Sequence, residues 1–113
     1  MANKVYLCGL DAAIDVVGGK WKPLLLWALS VTPRRYGELR REVDGISEKV
    51  LIQQLRELER DGVVERTVHE QVPPKVVYSL TPLGSALNRA LEPLGDWGEA
   101  NMEHIMAIRG SSG

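Results

Sequence analysis

One cysteine, two histidines and no excess of basic residues set the first limits on this 113-residue chain. With Cys8 alone no intrachain disulfide can form, which suits a reducing cytoplasm. No apolar run approaches the roughly 20 residues that a membrane span needs. The longest candidate, Trp21 to Val31, is broken by Lys22 and Pro23, so a soluble protein with no membrane partner is expected. The N-terminus lacks the basic-then-apolar build of a secretory signal. His69 and His104 have no cysteine or carboxylate partner at the spacing of a metal site or a catalytic triad, so no enzyme, metal or cofactor is expected. A formal net charge of -1 and a pI near 6.1 lack the basic excess of a general nucleic-acid binder. The slight positive balance lies in residues 1–60 and the negative balance in residues 61–113, so an anion-binding surface has to be a local face.

A content of 44% hydrophobic and 26% charged residues fits one ordinary domain over residues 1–113. Leu10, Ala13, Ile14 and Val17 recur at helical spacing, and Gly18-Gly19 breaks the helix they define. Leu24 to Leu29 are apolar all round, and Pro23 fits a first turn, so the second helix is expected at the centre of the core. After the connector Val31 to Arg35, Tyr36, Leu39 and Val43 predict a two-turn helix, closed by a turn at Asp44-Gly45. Ser47 is a suitable N-cap for the next helix, with Glu48 favourable to its dipole. Leu51, Leu55 and Leu58 form its buried stripe, and Gly62 suits its end.

Val63 to Gln71 and Val76 to Leu80 read as two strands around a proline-containing tip, a β-hairpin. Thr81-Pro82 then caps and opens the last helix. The expected fold class is α+β and mostly helical, a winged helix-turn-helix. Its core with the N-terminal helices covers about residues 8–80, and a C-terminal helix covers 81–109. Gly110 to Gly113 read as a frayed end or a cloning remnant. Along the last helix Leu87, Leu91, Leu94, Gly98, Asn101, Ile105 and Ile108 follow steps of four and three, the spacing of a helix-packing seam. Pro93 is expected to kink or divide that helix near Glu92. An exposed seam predicts a homodimer, with Leu10, Ile14, Leu87, Leu91, Leu94, Trp97 and Ile105 at its interface. The other reading is that the first helix covers the seam within one chain.

Opposite the leucine stripe of Ser47 to Asp61 stand Lys49, Gln53, Arg56 and Arg60 on one face. Lys and Arg suit phosphates or guanine edges, Gln suits adenine, and Ser47 at a helix N-terminus suits a phosphate. A solvated helix with intrahelical pairs involving Glu57 and Glu59 is the plainer alternative. The order of parts, helix-turn-helix and then hairpin, favours double-stranded DNA as the partner. Arg34, Arg35, Arg40 and Arg41 add positive charge just before the helix pair, with Arg34 and Arg35 preferred as phosphate contacts. Lys75 at the hairpin tip is a candidate for a neighbouring phosphate or the minor groove. The expected DNA-binding set is thus Arg34, Arg35, Tyr36, Ser47, Lys49, Gln53, Gln54, Arg56 and Lys75. A winged domain used only for protein–protein contact, with these side chains as ordinary surface, is the competing reading.

The chain resembles HxlR-type transcriptional regulators, within the MarR-like winged-helix group. The resemblance runs from Cys8 to Trp97. It is carried by Gly18-Gly19-Lys20-Trp21, Arg35-Tyr36-Gly37-Glu38-Leu39, Ile46-Ser47-Glu48-Lys49-Val50-Leu51, Leu55 to Gly62, Val72-Pro73-Pro74-Lys75 and Tyr78-Ser79-Leu80-Thr81. It implies a homodimer built from the terminal helices and control of transcription at a short inverted repeat. Two departures stand out: Ile52, where relatives often carry threonine, and Val77, where glutamate is common. The resemblance also implies a sensor role for Cys8, since some members detect electrophiles or oxidants at that position. A helix entrance and nearby Lys4 would favour the thiolate; the alternative is a small hydrophobe buried between subunits. The inducer, if a small molecule or electrophile, is not specified by these residues.

Overall fold

Local signals start and stop most of the elements. The computed structural model describes residues 4–110. In chain order it contains α1 (Gly9–Val17), α2 (Trp21–Val31), α3 (Tyr36–Glu42), α4 (Glu48–Arg60), β1 (Val64–His69), β2 (Lys75–Leu80), α5 (Pro82–Ala100) and α6 (Met102–Gly110). Ser47 Oγ accepts the Val50 N–H at 3.2 Å and so caps α4, satisfying a donor that the first turn leaves without a partner. Gly62 ends α4 at φ +77°, a left-handed conformation that a side chain would strain. Thr81 Oγ1 accepts the Gly84 N–H at 3.0 Å, and Pro82 opens α5 where its missing donor costs nothing. Of the proposed tail, Gly110 ends α6, and residues 111–113 lie outside the described residues.

The core is assembled around α2. Leu25, Leu26 and Ala28 are fully buried, and they meet Leu39 of α3, Leu51, Leu55 and Leu58 of α4, and Val63-Val64 at the start of the wing. Each fully buried leucine contributes about 2 kcal/mol of transfer free energy, which is why the four-and-three stripe of α4 fixes its inner side. α2 lies at the centre of the core as expected, although Leu24, Trp27 and Val31 remain exposed along one side. Trp21 explains part of the Gly-Gly-Lys-Trp motif: its ring lies beside Gly45, so the start of α2 docks on the turn between α3 and α4.

β1 and β2 pair antiparallel, from Val64 opposite Leu80 to His69 opposite Lys75. The connector before α3 joins them. The Arg34 N–H donates to the Tyr78 carbonyl at 3.0 Å, and the Tyr78 N–H donates to the Arg34 carbonyl at 2.8 Å. The root of the wing is held by three further contacts. Thr81 Oγ1 donates to the Gly62 carbonyl at 2.6 Å, the Thr81 N–H donates to the Val63 carbonyl at 3.2 Å, and Gly84 packs directly on Val63. A Cβ at Gly84 would stand 1.9 Å from the Val63 carbonyl oxygen, so only glycine permits this approach.

The division expected near Glu92 is corrected. α5 continues through Pro93, and the division falls at Asn101. Pro93 removes one donor on an exposed stretch of helix, where water can take its place. Asn101 does more: its Nδ2 donates to the Trp97 carbonyl at 2.8 Å, and its own N–H reaches the Trp97 and Gly98 carbonyls at 3.1 and 3.3 Å. A short amide side chain competing for helix carbonyls ends α5, and the Asn101 carbonyl then accepts the Ile105 N–H to begin α6.

Candidate nucleic-acid interface

At about 100° per residue, the residues of α4 separate into distinct edges. Leu51, Leu55 and Leu58 are 0%, 1% and 0% exposed. Lys49, Gln53, Arg56 and Arg60 all lie on the opposite, solvent-exposed edge, and Gln54 is half-buried on the flank. Ser47 sits at the helix entrance, where its lone pair serves the cap and its hydroxyl hydrogen remains for an acceptor. Arg35 is exposed at the N-cap of α3, whose first turn is held by the Arg35 N–H donating to Glu38 Oε1 at 2.8 Å. Lys75 opens β2 opposite His69, at the far end of the wing. The expected set thus occupies one cation-bearing helix edge, two helix entrances and one hairpin end.

Two residues of the expected set are turned inward. Arg34 Nε donates to the Ala28 carbonyl at 2.9 Å, its Nη1 lies 3.4 Å from Glu42 Oε1, and its side chain is 13% exposed. Arg34 is therefore corrected from a phosphate contact to a clamp joining α2, α3 and β2. The pairing of the connector with Tyr78 is what directs it inward. Tyr36 packs its ring against the core, and its hydroxyl is buried without a hydrogen-bond partner. Burial, with a smaller effect of Glu48, pushes this phenol above its ordinary pKa.

A pair missed in the sequence sits behind α4. Lys22 in the first turn of α2 is the only buried charged residue among the described residues, and its Nζ donates to Glu57 Oε1 at 2.7 Å. The hydrogen bond and charge of Lys22 hold the Glu57 carboxyl below its usual range, with smaller contributions from Gln53 and Arg60. Glu57 is thus drawn to the flank and neutralised, which removes much of the case for α4 as an evenly salted surface. Its partner is 35 residues away, so only a charge inside the apolar run of α2 hinted at the contact. Arg66, an exposed cation on β1 opposite Tyr78, was also passed over within a β-branched run.

Cys8 is a free, exposed thiol at the N-cap of α1. Lys4 does not serve it. Its Nζ donates to Asp15 Oδ1 at 2.9 Å, Tyr6 donates its hydroxyl to the same carboxylate, and these two bonds hold Asp15 below its usual pKa. Of the expected interface residues, Leu87 and Leu91 are half-buried against the chain's own core. Ile105 is half-buried, whereas Leu10, Ile14, Leu94 and Trp97 are 69%, 55%, 64% and 60% exposed. α2 and α5 enclose an open groove lined by Leu24, Trp27, Leu91 and Leu94, with Glu92 and Asp96 on its margin. Among the described residues no helix is long and apolar enough to cross a membrane, and no three His, Cys, Asp or Glu residues gather as a metal site.

A helix-turn-helix leading into a two-stranded hairpin, with a polar edge on its second helix, defines a MarR-like winged helix-turn-helix DNA-binding protein. The HxlR-like helix-turn-helix family profile matches residues 16–106, and the chain belongs to that family of transcriptional regulators. It is 48% identical over 95 residues to YkvN of Bacillus subtilis, an uncharacterized HTH-type transcriptional regulator, covering 84% of this chain and 80% of that one. Among solved structures, the redox regulator HypR in its reduced form superposes with a TM-score of 0.83 at 41% identity, covering 88% of this chain and 99% of HypR. Diamide-treated YodB from B. subtilis gives a TM-score of 0.72 at 33% identity, over 83% of this chain and 94% of YodB.

Proposed function

We propose that this transcriptional regulator acts as a homodimer that binds an inverted repeat in double-stranded DNA through the exposed edge of α4. The observation that carries this reading is the division of α4. One edge is wholly spent on the core, and the other offers Lys49, Gln53 and Arg56 to solvent. In that assignment Lys49 and Arg56 engage phosphates or guanine edges, Gln53 reads a base, and the dipole and hydroxyl at Ser47 receive a phosphate. Arg35 and Lys75 add backbone contacts on either side. Exposed apolar residues on α1 and on α5 supply the dimer surface, and a two-fold axis would set half-sites about one helical turn apart.

The same dimer responds to oxidants or electrophiles through Cys8. The likeness to HypR and YodB and the exposure of the thiol support this part. With one cysteine per chain, an oxidant such as diamide would take two electrons from two Cys8 thiolates and leave an intersubunit S–S bond. A quinone would instead accept the Cys8 sulfur at a ring carbon, forming one C–S bond and a hydroquinone. Either product sits at the entrance of α1 and would shift the dimer contacts.

The test is binding of the purified protein to duplexes from upstream of its own gene, followed against salt with sedimentation in parallel. Two subunits per site, a preferred sequence and a steep fall in affinity with salt are expected. Binding that ignores sequence, or a single subunit per site, overturns the reading.

A further inference from the structure

We propose that the groove between α2 and α5 is an effector site for a lipophilic organic cation, with Trp27 against its apolar body and Glu92, Asp96 and Glu99 around its charge. Binding there stands apart from the assignment of α4; only its effect on DNA rests on that reading.

The groove holds about 780 Å³, in the range of small-molecule sites. Its floor is Leu24, Trp27, Leu91 and Leu94, and Trp27 is 57% exposed although the helix that carries it forms the centre of the core. Such a surface favours an apolar occupant. Gly95 stands beside Leu94 in the interior of α5, where glycine weakens a helix. A Cβ there would meet nothing within 4 Å, so packing within the chain does not require glycine at this place. The missing side chain leaves room in the groove.

Charge then selects the occupant. Glu92, Asp96 and Glu99 follow steps of four and three, so they share the groove side of α5. No ion pair engages any of them among the described residues. The cations of the two helices do not serve the groove: Lys22 is bonded to Glu57, and Arg89 lines the adjoining recess without an ion pair to Glu92. Lys20, at the N-cap of α2, lies over the Trp21 ring at 4.7 Å. The three carboxylates do not gather as a metal site. An indole beside them instead suits a cation that arrives poorly hydrated on an apolar body. A second copy of the chain fits less well, because its α5 would bring the same carboxylates and its α1 brings Asp11 and Asp15. At about 100° per residue, Trp97 and Glu99 lie on opposite sides of α5, so the proposed dimer face and the groove are separate.

Tetraphenylphosphonium is the probe, and tetraphenylborate, of the same shape and opposite charge, is its control. By equilibrium dialysis in sodium buffer, one phosphonium ion should bind per subunit, roughly tenfold or more tightly than the borate, and should weaken as salt rises. The variant Glu92→Gln/Asp96→Asn/Glu99→Gln should lose roughly tenfold in affinity. Gly95→Leu, which fills the groove and improves the helix, should abolish binding with no fall in Tm. Equal binding of the two ions, or binding indifferent to either variant, overturns the proposal. Absence of binding overturns it as well, and a shift of Gly95→Leu toward the monomer in sedimentation then assigns the groove to a second copy. For the effector role, the unaltered protein first selects a preferred duplex from a random library. A failure to select any sequence counts against the DNA reading, while the dialysis result stands on its own. Because α5 packs on α2 and α2 on α4, saturating phosphonium should change affinity for the selected duplex by roughly fivefold or more in the unaltered protein and not in the triple variant. An unchanged affinity, or the same change in both proteins, overturns the effector role.

Discussion

α4 and α5 use the same alphabet to opposite ends. Both carry apolar residues at steps of three and four, and both pack on α2. In α4 all three leucines of the stripe are within 1% of complete burial, whereas in α5 Leu87 and Leu91 reach the core and Leu94 and Trp97 stay more than half exposed. The difference lies in length and geometry. α4 has 13 residues and ends where the wing begins, so its inner edge packs against α2 and β1. α5 has 19 residues and outruns what it packs against. Periodicity therefore identifies a sticky edge in both helices, but only the surrounding structure tells whether the chain itself covers it. What α4 leaves over is polar, as the proposed DNA contact requires, and what α5 leaves over is apolar, as the proposed second subunit requires.

Substitutions can break or sharpen this contrast. The largest effect is expected for Leu55→Ala, which opens a cavity in the buried edge of α4 and should cost about 2–5 kcal/mol by denaturant unfolding. Gly84→Ala comes next, because its Cβ would meet the Val63 carbonyl oxygen at 1.9 Å. Separating α5 from the wing root should cost about 1–3 kcal/mol in the same measurement. Trp97→Ser, on the open side of α5, should leave the fold of the subunit nearly intact while moving sedimentation toward the monomer. Should Trp97→Ser unfold the chain, the contrast between the two helices fails.

The smallest effect concerns pH. Lys22 lowers the pKa of Glu57 in the folded state, so folding makes this group bind fewer protons. The stability it contributes is present above the ordinary carboxylate pKa and is lost as pH falls through the lowered folded value. A plot of stability against acid pH should be flatter for Glu57→Gln than for the unaltered protein. An identical acid slope would show that the pair does not contribute in this way.

Much of this arrangement was readable from local chemistry. Ser47, Gly62 and Thr81-Pro82 act within a turn of their own position, so the ends of α4 and the start of α5 follow from residue type. The leucine stripe and the opposed edge of Lys49, Gln53 and Arg56 follow from helical periodicity. Non-local contacts were not readable. Arg34 resembles any exposed arginine until its backbone pairs with Tyr78, and Glu57 resembles a solvated carboxylate until Lys22 meets it from another helix. At the end of α5 the rule of thumb for proline competed with a specific side chain. Asn101 took the Trp97 carbonyl, and the helix divided there.

The central claim is that the exposed edge of α4 serves DNA and not the fold. Arg56→Ala, assayed for affinity to the selected duplex across a salt series with Tm recorded on the same preparation, tests it most directly. The account predicts an affinity loss of roughly tenfold or more, with stability within about 0.5 kcal/mol of the unaltered protein. Unchanged affinity, or a loss that follows a matching fall in Tm, would contradict it.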